Sequence, residues 1–251
     1  MAQVHIEGRN GVGVLTLDDP ARRNALSMEL CAAMVAAVDE LEADSSIGAL
    51  VVTGNGPAFC AGADLSQLGD SRRDGLLAIY EGFLRVARSP LPAIAAVNGA
   101  AVGAGMNLAL GCDLRLAGTS ARFDTRFLDL AIHPGGGHTW MFQRAAGLQA
   151  TMAAVVFGQA LDGAEAERVG LAWRCVADDE LVDVAVAMAA RAASAPRELT
   201  QRVRQTILDV AAVEHHDEAV ERELTDQLWS MDQPEFAERL AALQQRIRST
   251  D

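Results

Sequence analysis

The sequence predicts an α/β fold, because compact apolar segments alternate along it with longer segments of helical periodicity. The segments Ala49–Thr53 and Ala93–Val97 are short, mostly apolar runs, which is typical of strands buried on both faces. A helical pattern follows Ser27, a residue type that favours the N-cap, and a second helical pattern covers Gly75–Arg88. This alternation favours a core in which helices cover both faces of the sheet.

The two ends of the chain show different patterns. Near the start, Val4–Glu7 and Val12–Leu17 are alternating runs joined by Asn10-Gly11, which predicts a β-hairpin because both turn residues tolerate positive φ. Past Pro196 the pattern becomes wholly helical, with one apolar face on each helix. The members of these faces are Leu199, Val203, Ile207 and Val210, then Val220, Leu224, Leu228 and Met231, then Phe236, Leu240, Leu243 and Ile247. Such faces need a surface to pack against, either the core or a partner subunit.

Composition limits the possible functions. Half of the 251 residues are apolar, which is enough to bury a sizeable core. The net charge is −13 and no basic face is visible, so nucleic-acid binding is not expected. All 21 basic residues are arginine, which leaves no lysine for a Schiff base or a general base.

The four cysteines and the chain start predict a simple setting. Cys31, Cys60, Cys112 and Cys175 form no CxxC or Cys/His pattern, so we predict buried thiols in a reducing compartment and no metal site. The first residues lack the pattern of a signal peptide, and no stretch of about 20 uncharged apolar residues predicts a membrane span. We therefore expect a cytoplasmic protein.

Two loops rich in small residues carry the candidate chemistry. Residues 55–64 are predicted as one loop, and residues 98–105 as a second loop that leads into a helix over Met106–Leu110. Each loop follows a strand and enters a helix, so its backbone N–H groups can point outward at a helix N-terminus. Two such groups that converge on one point form an oxyanion hole.

Other interpretations of these loops are weaker. Either loop alone is as consistent with a plain strand-to-helix turn as with a site. A dinucleotide site would need a third glycine at position 108, which is Leu108. The chain also lacks the GK[ST], GxSxG and HExxH motifs.

Taken together, the motifs are far more specific than any one of them. Four segments stand out: NAL at 24–26, FCAGADL at 59–65, PAIAAVNGAAVGAG at 92–105 and CDLRLAG at 112–118. They resemble the enoyl-CoA hydratase/isomerase (crotonase) family, and the resemblance continues through LAIHPGGG at 130–137 and GLA at 170–172. It covers roughly residues 12–190.

The resemblance implies a crotonase-type spiral of ββα units over residues 1–190 that binds acyl-CoA. A C-terminal helical oligomerisation region over residues 191–251 would build a trimer or a dimer of trimers. The implied ligand is an acyl-CoA or enoyl-CoA thioester, and the only cofactor chemistry is the CoA that the substrate itself carries.

The resemblance also implies individual site residues. The backbone N–H groups of Ala63 and Ala104 would polarise the thioester carbonyl, and alanine at position 104 leaves that donor intact because only proline lacks an N–H. Substrate binding is implied for Arg22, Arg23, Ala25, Ala61, Gly62, Asp64, Leu65, Gly103, Pro134 and Gly135.

Arginines near these loops are candidates for contact with the CoA phosphates. Arg22 and Arg23 directly precede the NAL segment, and Arg72 and Arg73 are weaker candidates. Solvated surface arginines are the alternative interpretation of all four.

The sequence departs from the family at both catalytic carboxylates. Hydratases of the family place glutamates at the positions that are Asn107 and Phe127 here, seven residues before Pro134 in the second case. Asparagine can hydrogen-bond a water but cannot take its proton, and phenylalanine can do neither. Because a positioned acid or base contributes roughly 10²–10⁴-fold, classical hydration is doubtful.

Four residues near the gap are candidate substitutes. Asp124 and Asp129 flank position 127, while His133 and His138 flank the Pro134–Gly137 segment, and a histidine can act as a base near neutral pH. Capping, ion-pairing and turn-stabilising roles are the alternatives. His215-His216 is interpreted as part of a solvated helix face.

Three hypotheses remain open at this point. The chain is a crotonase-type lyase or isomerase with different acid/base residues, an acyl-CoA-binding protein without turnover, or a structural oligomer that has lost the site. The two intact glycine loops argue against the third.

Overall fold

A computed structural model describes residues 2–67 and 72–248 of the chain. Within these residues, no helix is both long enough and apolar enough to cross a membrane. The strands are β1 (Gln3–Arg9), β2 (Val12–Asp18), β3 (Ala49–Gly54), β4 (Ala58–Cys60), β5 (Ala93–Val97), β6 (Ala100–Val102), β7 (Leu114–Gly118), β8 (Arg122–Asp124), β9 (Leu161–Asp162) and β10 (Arg174–Val176). The helices are α1 (Met28–Ala43), α2 (Arg72–Ala87), α3 (Ala104–Gly111), α4 (His138–Val155), α5 (Gly163–Arg168), α6 (Leu181–Ala193), α7 (Arg197–Val210), α8 (His216–Met231) and α9 (Pro234–Arg248).

The strands follow a repeating ββα order. The units are β3-β4-α2, β5-β6-α3 and the strand pair β7-β8. The first strand of each unit joins a six-stranded sheet of order β1-β2-β3-β5-β7-β10, and the second joins a four-stranded sheet of order β4-β6-β8-β9. Successive units add strands in one direction, so β3, β5 and β7 run parallel, as do β4, β6 and β8. The predicted α/β class is confirmed.

Helices cover both faces of the larger sheet. Every residue of β3 and β5 is buried. Because side chains alternate along a strand, Leu50 and Val52 pack in the apolar layer that includes α1–α3, while Ala49 and Val51 pack in the layer that includes α6. Burial on both faces explains why these strands have unbroken apolar sequences.

Several local predictions are confirmed. β1 and β2 form the antiparallel hairpin, with Asn10 and Gly11 at positive φ. The Ser27 hydroxyl accepts a hydrogen bond from the Leu30 backbone N–H at 3.1 Å and so caps α1.

Two loop predictions were wrong in part. Residues 55–64 contain β4, residues 98–105 contain β6, and α3 begins at Ala104 rather than at Met106. β4 and β6 are three residues long and consist mainly of small side chains. Such segments have little intrinsic strand preference, and their pairing with each other and with β8 makes them strands.

The chain forms two compact units, one ending at Ala193 and the other beginning at Ser194. The boundary predicted after residue 190 falls within α6, whose buried residues belong to the first unit's core. The second unit comprises α7, α8 and α9. Most of the apolar stripe predicted on these helices is exposed in the single chain: Val203, Ile207, Val220, Leu224, Leu228, Met231, Phe236, Leu240, Leu243 and Ile247.

Candidate active site

Three parallel strands bring the candidate loops to one edge of the smaller sheet. β4 pairs with β6 through Ala58 and Ala100, and β6 pairs with β8 through Val102 and Asp124. Since the carboxyl ends of parallel strands lie at the same edge, the segments that follow them become neighbours. These segments are 61–64, 103–104 and 125–127, and they contain seven of the predicted site residues, among them Ala63, Ala104 and Phe127.

Glycines allow the first two loops to approach each other closely. A Cβ atom on Gly62 would lie 2.9 Å from the Val102 carbonyl oxygen and 3.9 Å from the Ala104 nitrogen, and φ at Gly62 is +104°. A Cβ atom on Gly105 would collide with the carbonyl oxygen of Cys60. Glycine is therefore required at both positions, by the tight approach of the backbones and, at Gly62, by the positive φ.

The backbone leaves two N–H groups free at this contact. The Leu26 N–H donates to the Gly62 carbonyl, and the Asp64 N–H donates to the Leu26 carbonyl. The N–H of the intervening Ala63 therefore faces the opposite side of the segment. Ala104 is the first residue of α3, where no earlier helical carbonyl is available to accept its N–H. Within the described residues, neither N–H group has a hydrogen-bond partner. The N-terminus of α3 adds a partial positive charge at the Ala104 N–H.

Asn24 fixes the segment that lies beside the first loop. Its Nδ2 atom donates to the carbonyl oxygens of Ala58 at 2.9 Å and Asn55 at 3.0 Å, and its Oδ1 atom accepts from the Asp19 N–H at 2.8 Å. The side chain is fully buried and the backbone has φ of +57°. These contacts give the asparagine of the NAL segment a structural role, which is to hold Ala25 and Leu26 against residues 61–64.

A pocket of about 590 Å³ opens at this edge, a volume typical of a small-molecule site. Ten of the sequence-predicted site residues line it: Ala61, Gly62, Ala63, Leu65, Gly103, Ala104, Asn107, Phe127, His133 and Gly135. Six predicted residues do not line it: Arg22, Arg23, Ala25, Asp64, Asp129 and Pro134. The two N–H groups and the two positions predicted to have lost a glutamate therefore share one cavity.

Known proteins resemble this chain over nearly its whole length. The family model described as enoyl-CoA hydratase/isomerase matches residues 7–242. The chain belongs to the enoyl-CoA hydratase/isomerase family. It is 50% identical over 244 residues to a probable enoyl-CoA hydratase, EchA14, of Mycobacterium tuberculosis, covering 94% of each chain.

Two further relatives show the breadth of the family. The chain is 36% identical over 200 residues to the 1,2-epoxyphenylacetyl-CoA isomerase of Escherichia coli, covering 76% of each chain. The crystal structure of an enoyl-CoA hydratase from Bacillus anthracis has a TM-score of 0.91 with 26% identity, covering 97% of this chain and 96% of the other. The relatives carry different reaction names, so membership of the enoyl-CoA hydratase/isomerase family does not by itself fix the reaction.

Asn107 is the first of the two residues that the resemblance predicts at glutamate positions. Its side chain is 1% exposed and lines the pocket. The Nδ2 atom donates to the Gly135 carbonyl oxygen at 2.9 Å, and the Oδ1 atom lies 2.6 Å from Nδ1 of His138. Both ends of the amide are thus engaged by the protein, and Asn107 ties α3 to the turn before α4.

These contacts determine the tautomer of His138. A carbonyl oxygen only accepts, so the amide nitrogen of Asn107 faces Gly135 and its oxygen faces the imidazole. Nδ1 of His138 must therefore carry the proton, which leaves a lone pair on Nε2 of the neutral ring. Burial lowers the pKa of His138 to about 4, so the ring is neutral at physiological pH.

This buried imidazole makes the stability of the fold depend on pH. The pKa of His138 is about 4 in the folded chain, against an ordinary value near 6.5, so between these values the unfolded chain binds a proton that the folded chain does not. We expect the His138 contribution to cost about 2 kcal/mol of unfolding free energy between about pH 7 and pH 5.

Urea unfolding at several pH values measures this dependence. In His138→Gln, the fall in unfolding free energy between these pH values should be smaller than in wild type by the His138 contribution. The matched His215→Gln, at an exposed helix start, should show the same fall as wild type. Equal slopes in wild type and His138→Gln would contradict the burial of a neutral imidazole.

Phe127 is the second of these predicted positions. Its ring lines the pocket and packs edge-on against His138, with 4.9 Å between ring centroids. Phe142 also packs against the imidazole, at 5.8 Å. At this predicted carboxylate position the pocket has an apolar wall.

The four candidate substitutes differ in their surroundings. The Asp124 carboxylate lies 2.7 Å from the Arg126 guanidinium and 3.6 Å from that of Arg122. Asp129 is exposed, and neither aspartate lines the pocket. His133 lines the pocket, with Nδ1 at 2.7 Å from the Pro134 carbonyl oxygen. His138 reaches the pocket only through its contacts with Asn107 and Phe127.

The candidate arginines are also unequal. Arg22 donates to Asp19 at 2.6 Å, whereas Arg23 is exposed and its carbonyl accepts from the Ala61 N–H beside the pocket. Arg72 lines the pocket, and Arg73 lies 3.9 Å from Asp74. Arg23 and Arg72 are thus the better placed of the four for an anionic group near the pocket mouth.

Sequence reasoning assigned no role to several residues that line the pocket. Among them are Leu76, Ile79, Tyr80, Thr125, Arg126, Leu130 and Ile132. Tyr80 is on α2 and its hydroxyl occupies the space that a side chain at position 135 would fill, so Gly135 makes room for it. Their place at the pocket depends on how α2 and the 125–133 segment fold over it, which the motifs do not encode.

The thiols offer no nucleophile at this site. Burial raises the pKa of Cys31 to about 11 and that of Cys60 to about 12, so both are protonated at neutral pH. Over residues 2–67 and 72–248, no group of three or more His, Cys, Asp or Glu side chains is arranged to hold a metal ion.

Proposed function

We propose that the chain binds a CoA thioester with its carbonyl oxygen between the backbone N–H groups of Ala63 and Ala104. The observation that carries this proposal is the presence of two unpartnered N–H groups on loops that the glycines hold in contact. Such a pair stabilises the negative charge that develops on the carbonyl oxygen when the acyl group becomes enolate-like. Each donor is worth about 3–4 kcal/mol in comparable sites.

The acyl chain would lie in the apolar part of the pocket. Leu65, Leu76, Ile79, Leu130 and Ile132 line it, which suits a hydrocarbon or aryl group. The CoA phosphates would lie towards Arg23 and Arg72, in a chain whose net charge is otherwise −13. No separate cofactor enters the proposal.

The proposal excludes the usual two-carboxylate hydration as an efficient reaction. Asn107 and Phe127 supply no carboxylate, and the candidate carboxylate of Asp124 is paired with Arg126. The chain then either catalyses another reaction of the family through a different base or binds acyl-CoA without turnover. The isomerase named among its relatives gives the first of these a precedent within the family.

Crotonyl-CoA tests this proposal, with binding measured by calorimetry and hydration by loss of the enoyl-thioester absorbance. We expect saturable binding, with hydration slower by a factor of roughly 10²–10⁴ than that of a family member with both glutamates. Absence of binding would overturn the proposed ligand, and fast hydration would overturn the account of the missing carboxylates.

We further propose that α7, α8 and α9 mediate self-association to a trimer or a dimer of trimers. Their exposed apolar side chains include Leu224 and Leu228 on α8 and Leu240 and Leu243 on α9. Faces of this kind are characteristic of subunit interfaces. A monomeric mass by light scattering would contradict this part of the proposal.

A further inference from the structure

His138 holds a buried polar atom that the fold does not satisfy. The residue is 1% exposed, and within the described residues its Nε2 atom has no hydrogen-bond partner. An unsatisfied buried acceptor costs about 1–3 kcal/mol, so few are retained without a role. The rings that pack against this imidazole, Phe127 and Phe142, offer no hydrogen bond.

The contacts of His138 match those of an oriented general base. The Oδ1 atom of Asn107 accepts a hydrogen bond from the Nδ1–H group of His138 and thereby fixes both the tautomer and the orientation of the ring. The lone pair is then on Nε2, as it is on the base nitrogen when an asparagine orients a catalytic histidine. Asn107 is held in turn by its hydrogen bond to the Gly135 carbonyl oxygen. This oxygen can only accept, so it fixes which end of the Asn107 amide faces His138.

Phe127 stands in the pocket wall beside this base. It lines the cavity, whereas His138 does not, and its ring is in contact with the imidazole. The turn that carries Phe127 is strained at both ends, with φ of +50° at Arg126 and +52° at Ala131. Its neighbours Leu128 and Leu130 are more than half exposed, at 54% and 56%, so little packing opposes a shift of this turn.

We propose that His138 is the general base of the site, oriented by Asn107 and covered by Phe127, and that it removes a proton from the acyl carbon next to the thioester carbonyl. This inference rests on the proposed binding of a CoA thioester. The C–H electron pair moves to form the enolate, whose oxygen is held by the N–H groups of Ala63 and Ala104, and the proton passes to Nε2. Return of a proton from the imidazolium to the same or a neighbouring carbon completes exchange or isomerisation, with no oxidant or other reactant.

The basicity of this group suits the role. The pKa of His138 is lowered to about 4 by burial, which is near the ordinary value of a glutamate carboxylate. The imidazole is therefore about as basic as the side chain that the family's hydratases place in this region.

Proton exchange of butyryl-CoA in deuterium oxide tests the proposal, because it needs only the base and the N–H pair. Phe127→Ala should uncover the base, and we expect its exchange to be faster than that of Phe127→Ala/His138→Gln by roughly 10²-fold or more. Glutamine keeps a donor that can reach Asn107, so the fold is retained while the base is lost. Phe127→Ala/His215→Gln serves as the matched variant, because His215 is exposed and does not line the pocket, and it should exchange as fast as Phe127→Ala.

Calorimetric titration of butyryl-CoA into each variant separates the two proposals. Binding with exchange that does not depend on His138 would overturn the role of His138 alone. Absence of binding by the wild type would overturn the proposed function and this inference together.

NMR of isotope-labelled histidine side chains adds a test that needs no ligand. We expect His138 to have a protonated Nδ1 and an unprotonated Nε2 at neutral pH. The opposite tautomer would overturn the orientation by Asn107.

Discussion

Ala104→Pro is expected to lower the rate of acyl-CoA proton exchange by roughly 10²–10³-fold, the usual cost of removing one oxyanion donor. Proline is the only residue whose side chain removes the backbone N–H, and Ala104 is the first residue of α3. Proline is favoured at that position because the helix does not use the N–H there. The loss should therefore come from the site rather than from the fold.

Ala104→Ser is the matched control, since it retains the N–H and adds one small polar atom. We expect it to keep exchange within a few-fold of wild type, with thermal unfolding of both variants confirming that α3 is intact. Exchange by a folded Ala104→Pro variant at the wild-type rate would mean that the Ala104 N–H does not contact the thioester oxygen.

Asn107→Glu/Phe127→Glu is expected to gain crotonyl-CoA hydration by roughly 10²–10⁴-fold over wild type, because it supplies carboxylates at the two positions predicted to carry the acid/base pair. The structure also predicts a cost in stability. A carboxylate at position 107 has no hydrogen to donate to the Gly135 carbonyl, and the longer side chain enters a site that is 1% exposed. Unsatisfied acceptors of this kind cost about 1–3 kcal/mol.

Asn107→Gln/Phe127→Gln is the control for this variant, since it has the same shape without the carboxylates. It should bind crotonyl-CoA and show no gain in hydration. A folded double-glutamate variant that binds but hydrates no faster than the glutamine pair would show that the pocket differs from a hydratase in more than these two side chains.

Local sequence patterns predicted the larger sheet well and the smaller sheet poorly. β3 and β5 are unbroken buried runs, and the Asn10-Gly11 turn specifies a hairpin, so these elements follow from short-range chemistry. β4 and β6 were taken for loops because small residues have little strand preference of their own. Their strand structure depends on pairing between segments about 40 residues apart, which local periodicity does not encode.

The candidate site, like the fold, was predicted from the sequence only in part. Ala63 and Ala104 were predicted from the resemblance of the two glycine loops to the family's motifs, and the structure puts both residues in one pocket. The contact between Asn107 and His138 could not be predicted, since it joins α3 to the start of α4 across 31 positions. Sequence reasoning gave Asp124, Asp129 and the two histidines equal weight. The fold leaves both aspartates out of the pocket lining, whereas His133 lines the pocket and His138 contacts two residues that do.

The carbonyl stretch of a bound thioester tests the central claim most directly, because it reports hydrogen bonds to that oxygen even if no turnover occurs. Isotope-edited infrared spectra of crotonyl-CoA bound to the wild type should show the carbonyl band at lower frequency than in free crotonyl-CoA. Most of that shift should be lost in Ala104→Pro and retained in Ala104→Ser. A bound carbonyl with the frequency of the free thioester would contradict the assignment of the Ala63 and Ala104 N–H groups as the oxyanion hole.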